Sequence, residues 1–307
     1  MPILVLLLIP SGIGTLIFAY LLLNDLIVDE WKWLGAIPLG IFVGTYLIRR
    51  GIYEWWAVKH PPGLAKVEQD ILGQFFPYYR NLGAEHKRFF EQRLSIFRMQ
   101  KQFQMRGADK LPGDIQLLVS ARAIQMTMGK TFKKEFFPKL GMIVLFPRTF
   151  ITPKINEKIH AVEFEEEEPF SSLFISVNMF IRGLKAPHQY YDVCLYGFAK
   201  AFKAEHHIHD EDLPIGDRMD FLARLHVLRQ FKVGYSLEYT ALPDFELFEL
   251  ASEHFFTYPE AFKGEFPEVY EFLVKTYGQD PLSFSAPALQ DGAGNSALAE
   301  EEDDDLN

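Results

Sequence analysis

From Met1 to Asn24 the chain carries no charged side chain, and the run is rich in Leu and Ile. A stretch of this length and character matches the hydrocarbon core of a bilayer, about 30 Å thick. A second uncharged run, Trp33 to Ile48, is slightly short alone. Trp31 and Trp33 can anchor one of its ends, and Lys32 can snorkel to the interface. Asp25, Asp29 and Glu30 lie between the runs, and Arg49 and Arg50 follow the second. Positive-inside bias places the Arg pair and all that follows in the cytoplasm, with the acidic loop outside. The expectation is a two-helix transmembrane anchor over 1–59, in contact with the lipid bilayer through residues 3–48 of an inner (cytoplasmic) membrane. A cleaved signal peptide is the competing view; the missing basic n-region and the long apolar run weigh against it. Pro10, Gly12, Gly14 and Pro38 are tolerated in membrane helices.

The rest of the 307 residues is long enough to bury a full core, and 29 Phe imply aromatic-rich packing. A net charge of -10 argues against nucleic-acid binding through a basic surface. Glu300 to Asp305 concentrate much of that charge at the C-terminal end. Cys194 is the single cysteine, so no internal disulfide can form and an oxidising compartment is not marked. It reads as a small buried hydrophobe.

His60-Pro-Pro-Gly63 punctuates the chain and opens a linker over 60–70. A soluble α+β domain is expected over 71–285, mostly helical with a small sheet. Phe89, Phe90, Leu94 and Phe97 fall at helical spacing, and a second helix is expected from about Pro112 to Met128. Gly141–Phe146, Ala161–Phe164 and Leu173–Val177 read as strands, with Glu165 to Glu168 as a solvated acidic turn. Asp244–Phe256 and Phe266–Tyr277 read as helices, the latter ended by Gly278. The Ala, Gly, Ser and acid-rich tail over 286–307 is expected to be disordered.

An apolar helix, Asp192-Val-Cys-Leu-Tyr-Gly-Phe-Ala-Lys-Ala-Phe-Lys203, looks like a zinc-peptidase helix without its ligands. The active motif is H-E-x-x-H, in which His at i and i+4 share one face and the Glu activates the zinc-bound water. With Phe76-Pro-Tyr-Tyr79 and Arg80–Arg106, Leu118-Val-Ser-Ala121 with Gln125–Gly129, and Tyr239–Leu282, this helix makes the chain resemble the Mlc-titration-factor family of zinc-dependent peptidases. The last stretch includes Ser252-Glu-His-Phe-Phe256 and Gln279-Asp-Pro-Leu282. The resemblance covers roughly Ile71 to Leu282 and implies a gluzincin-like fold in which two His and a downstream Glu bind zinc. On those positions the first His matches Tyr196, the catalytic Glu matches Gly197 and the second His matches Lys200. The downstream Glu matches Glu246, and a Tyr thought to stabilise the transition state matches Tyr239. Asp192 stands where the family usually has Asn, and Lys203 where it often has Asp. Two members of the constellation are retained and three are absent, so neither catalysis nor a zinc cofactor is expected here.

Each residue also has a plainer reading. Glu246 is a relict ligand, a partner for Lys200, or an exposed helix carboxylate; Tyr239 is a catalytic hydroxyl or a packed aromatic. Lys200 either snorkels to solvent or, if buried, needs a counter-charge, and an ion pair with Glu246 across the vacated site is the expectation. His206, His207 and His209, in Glu205-His-His-Ile-His-Asp-Glu-Asp212, are weak metal candidates, because adjacent residues in a loop cannot all face one ion. The chain therefore reads as a membrane-anchored, catalytically dead peptidase homologue that binds a peptide or protein in its cleft. Two alternatives stay open: an active metallopeptidase using His206, His207 or His209 with Glu246, and a structural membrane-associated protein whose cleft has filled in.

Overall fold

A computed structural model describes residues 2–24, 37–47, 60–108, 110–130, 136–152, 155–228 and 246–283; at 2–8, 152, 155–159 and 226 the description stops at the backbone. The chain divides into two compact units, Met1–Pro62 and Gly63–Asn307.

In the first unit α1 (Pro2–Leu23) packs against α2 (37–47) through small residues. A Cβ on Gly12 would meet the Phe42 ring at 3.5 Å, and one on Gly14 would meet Pro38 at 3.4 Å. Ser11 and Thr45 are buried, whereas Ile9, Ile13, Leu16, Ile17, Ile41, Val43 and Leu47 are exposed. Among the described residues no helix is long and apolar enough to cross a membrane, so the transmembrane hairpin expected over 1–59 finds no support in helix length. The acidic loop and the Arg pair lie outside the described residues.

The second unit begins with α3 (Lys66–Phe75), so the expected linker over 60–70 is already helical in its second half. It continues through α4 (Pro77–Asn81), α5 (Ala84–Gln100), β1 (Gln102–Met105), α6 (Gly113–Thr127), β2 (Leu140–Phe146), β3 (Phe150–Thr152), β4 (Ile155–His160), β5 (Val162–Glu165) and β6 (Ser171–Ser176). Next come α7 (Val177–Lys185), α8 (Val193–His206), a short 3-10 turn at Asp210–Asp212, α9 (Arg218–Leu228), α10 (Leu247–Thr257), α11 (Pro259–Glu265) and α12 (Pro267–Tyr277). The sheet has the order β1-β2-β6-β5, with β1, β2 and β6 parallel and β5 antiparallel at the edge. This is the α+β, mostly helical arrangement expected.

Three of the strands follow their apolar runs. β1 was not anticipated, because Gln-Phe-Gln-Met is short, lacks β-branched residues and hides only its Phe103 and Met105 side. The β3–β4 hairpin was missed as well. α6 is buried along nearly its whole length, as Leu117, Val119, Ala121, Ala123 and Ile124 have no exposed surface. Buried Arg93 clasps its C-terminal end, donating to the carbonyls of Thr127 and Lys130 at 2.7 Å each. At α12 Gly278 takes the left-handed conformation (φ 65°) that ends a helix, as anticipated. α10 begins at Leu247, three residues after the expected start; residues 229–245 and 284–307, with the expected disordered tail, lie outside the described residues.

The blocks that carried the family resemblance form one scaffold. Gln279 donates to the carbonyls of Gln125 (2.8 Å) and Met126 (3.0 Å) and accepts from Tyr78 (3.2 Å). Tyr277 donates to Ser252 at 2.7 Å. Gly129 and Gly278 meet backbone to backbone: a Cβ on Gly129 would lie 2.2 Å from the Gly278 carbonyl oxygen. These contacts hold α6, α10 and α12 together, and α8 lies across β5 and β6.

Candidate functional site

α8 is anchored at its first turn by buried charge. Asp192 accepts from the amides of Cys194 (3.0 Å) and Leu195 (3.1 Å) and pairs with Arg122 at 2.7 Å. Its own amide donates to buried Glu253 at 3.0 Å. Burial pushes the Asp192 carboxyl up, and Arg122 opposes that rise. The buried Cys194 thiol is likewise pushed up by burial.

From this fixed start Tyr196, Gly197 and Lys200 follow at helical spacing. Tyr196 has no exposed surface. Its hydroxyl lies near the Glu246 amide without a well-formed hydrogen bond, and no partner satisfies it among the described residues. Burial, then the charges of Glu246, Glu249 and Glu163, hold its ionisation well above the ordinary tyrosine value. Gly197 sits where α8 touches the sheet, and a Cβ there would lie 2.7 Å from Val162 Cγ2 and 2.8 Å from Leu173 Cδ1.

Lys200 lies between two carboxylates. Its Nζ is 3.4 Å from Glu246 Oε2 and 3.5 Å from Glu163 Oε1. The expected pair with Glu246 is present, but the more buried partner is Glu163 on β5, with a side chain 10% exposed against 36% for Glu246. Glu163 Oε2 in turn lies 3.2 Å from Nδ1 of buried His160. Glu163 was missed in the sequence, where it was one residue of an apolar strand. The available signal was a lone acid between Val162 and Phe164, matched by a lone Lys on an apolar helix.

One turn further along, Lys203 lies 2.6 Å from Asp210 and 3.5 Å from Glu249. Asp210 also accepts from the amides of Leu247 (3.1 Å) and Phe248 (3.4 Å), so it satisfies the start of α10 from a separate loop. Burial would raise the Asp210 carboxyl, but Lys203 and these amides pull it below the ordinary range. Glu249, 1% exposed, is pushed up to about 8 by burial and by neighbouring Glu246, against the pull of Lys203.

The weak metal candidates serve other ends. His206 stacks on Phe202 with ring centroids 3.9 Å apart, and its Nδ1 bonds the Phe202 carbonyl at 3.0 Å. His207 takes the left-handed conformation (φ 51°) that terminates α8, and the His209 amide donates to Asp212 at 2.7 Å. Among the described residues no three His, Cys, Asp or Glu side chains group as metal donors. Tyr239 lies outside the described residues.

A gluzincin-type zinc ion takes two imidazoles and a carboxylate, with a second carboxylate as general base. At the three positions that the resemblance assigns, the chain presents a phenol, a glycine and an ammonium, and the ammonium sits between carboxylates. The residues present do not fit the ion. A cavity of about 370 Å³ lies elsewhere in the unit, lined in part by Pro214, Asp217, Phe221, Arg224 and Phe266.

A family match makes the chain zinc-peptidase-like. Residues 52–203 match the model of the family described as glucose-regulated metallo-peptidase M90. The match includes Tyr196, Gly197 and Lys200 and stops short of Glu246. The chain is also 26% identical over 140 residues to an uncharacterized protein of Synechocystis sp., across 43% of this chain and 49% of that protein. The match thus spans about half the length of that relative.

Proposed function

We propose that this chain is a catalytically silent M90 peptidase homologue that works by binding a peptide or protein partner at the former active-site cleft. Its N-terminal helix pair anchors it in the inner (cytoplasmic) membrane, with the unit from Gly63 onward in the cytoplasm. The observation that carries the reading is the Lys200 ammonium between Glu163 and Glu246, where the family fold would hold its metal. The close contact of Gly197 with Val162 and Leu173 adds to it, since a general base at this position has no room. The anchor is supported by the two uncharged runs and by the large apolar side chains that α1 and α2 turn outward while packing through small residues.

Metal analysis of full-length protein purified without a His tag, paired with a peptide-hydrolysis assay, tests the silent site. The expected result is no stoichiometric zinc and no cleavage of generic peptides. Near-equimolar zinc that disappears in His206→Ala/His209→Ala protein would instead support an active, rearranged metallopeptidase. The complete burial of Tyr196 favours a second reading, a structural protein whose cleft has closed. Photo-crosslinking from position 246 in membranes separates the two, because a closed structural protein captures nothing specific there.

A further inference from the structure

We infer that Lys200 and Tyr196 form a receptor for a carboxylate, and that Glu246 fills it as an internal stand-in for the carboxylate of a bound peptide. The inference rests on the binding-module reading above and names the chemistry of its partner. It starts from incomplete bonding in the cluster. Glu246 Oε2 reaches only to 3.4 Å from Lys200 and forms no well-shaped hydrogen bond. The Tyr196 hydroxyl, near the Glu246 amide and within the influence of its charge, is fully enclosed and unsatisfied among the described residues. Buried polar atoms are nearly always bonded, so an unsatisfied phenol next to a loosely held carboxylate marks a place where a better-positioned acceptor would be favoured.

The two arms of the ammonium are not equivalent. Glu163 is nearly sealed, with a side chain 10% exposed, so it cannot turn to water and is the permanent counter-charge. Glu246 is exposed over 36% of its side chain and can turn to water. Exchanging its carboxylate for one from a partner leaves the local charge unchanged. That matters because charged Asp210 stands nearby, and a net added anion would be repelled. A free carboxylate held without the tether of α10 can accept from both Lys200 Nζ and the Tyr196 hydroxyl. A side-chain carboxylate and a peptide C-terminus share this chemistry.

Full-length Glu246→Ala protein, titrated with sodium acetate at constant ionic strength, tests the receptor by thermal unfolding. The expected result is a saturable rise in Tm of about a few degrees, as for any ligand that binds only the folded state. Adding Lys200→Met should abolish that rise, and adding Tyr196→Phe should weaken apparent acetate affinity several-fold. Should the alanine variant fail to fold, Glu246→Gln keeps the shape, removes the charge and is read in the same way. An equal rise with sodium chloride, or an acetate response that survives Lys200→Met, overturns the inference. Trialanine with a free C-terminus and N-acetyl-glutamate amide, used in place of acetate, distinguish the two sources. A flat acetate response in zinc-free, inactive protein sinks the receptor and leaves the silent-peptidase reading standing. Equimolar zinc sinks that reading whatever acetate does.

Discussion

Lys200 on α8 stands 3.5 Å from Glu163 on the edge strand β5, so a helix and a strand share one ammonium with the start of α10. The two acids should respond differently to loss of that charge. Lys200→Met leaves Glu163 buried without its counter-charge and should destabilise by roughly 3 kcal/mol. Glu246→Gln removes a partly exposed partner and should cost under about 1 kcal/mol. Urea unfolding of both variants checks the ranking. Equal losses would mean that Glu163 does not bear the main share.

Gly197 and Gly129 both make close approaches, and they should differ in how far the neighbour can yield. Gly197→Ala presses on side-chain methyls of Val162 and Leu173 and should cost about 1–3 kcal/mol. Gly129→Ala meets the backbone of Gly278, which cannot rotate away, and should cost more or prevent folding. Denaturation midpoints decide the order; a Gly129→Ala protein as stable as wild type would contradict the backbone contact.

Glu249 should give the unfolding curve a pH dependence of defined sign. Its folded carboxyl titrates near 8, against an ordinary value of 4.5. Between those limits the folded chain keeps a proton that the unfolded chain has released. Stability therefore falls as pH rises through that window. Glu249→Gln removes this contribution, so its stability should vary less between pH 5 and pH 9 and exceed that of wild type at the upper end. Parallel pH profiles for the two proteins would rule Glu249 out as the source.

The proposed membrane arrangement predicts opposite labelling at two positions. A cysteine replacing Ile27 should react with an impermeant maleimide added outside intact cells. One replacing exposed Glu260 should react only after permeabilisation. Native Cys194 is buried and should stay silent in both. The reverse pattern would invert the topology.

Much of this was legible along the chain, because helix and strand signals are local. The apolar period of α6, the Gly278 stop of α12 and the runs behind β2, β5 and β6 each lie within a window of neighbours. The expectation of no zinc site also came from the sequence, since imidazole ligands are residue identities and Tyr196, Gly197 and Lys200 cannot supply them. The pairing of Lys200 with Glu246 could be expected because the resemblance had already placed both positions at one ion.

Other features depended on distances that no local pattern encodes. Glu163 is 37 residues from Lys200 and became its more buried partner only because antiparallel β5 lies beneath α8. Asp210 reads in sequence as one acid in a His-rich loop, yet the fold uses it to satisfy the first amides of α10. Gly197 reads as a lost general base, and only the sheet beneath it shows that a side chain has no room there. Periodicity thus determined which elements form. Tertiary packing decided which charges meet, because a buried charge is settled by whatever opposite charge the fold brings within reach.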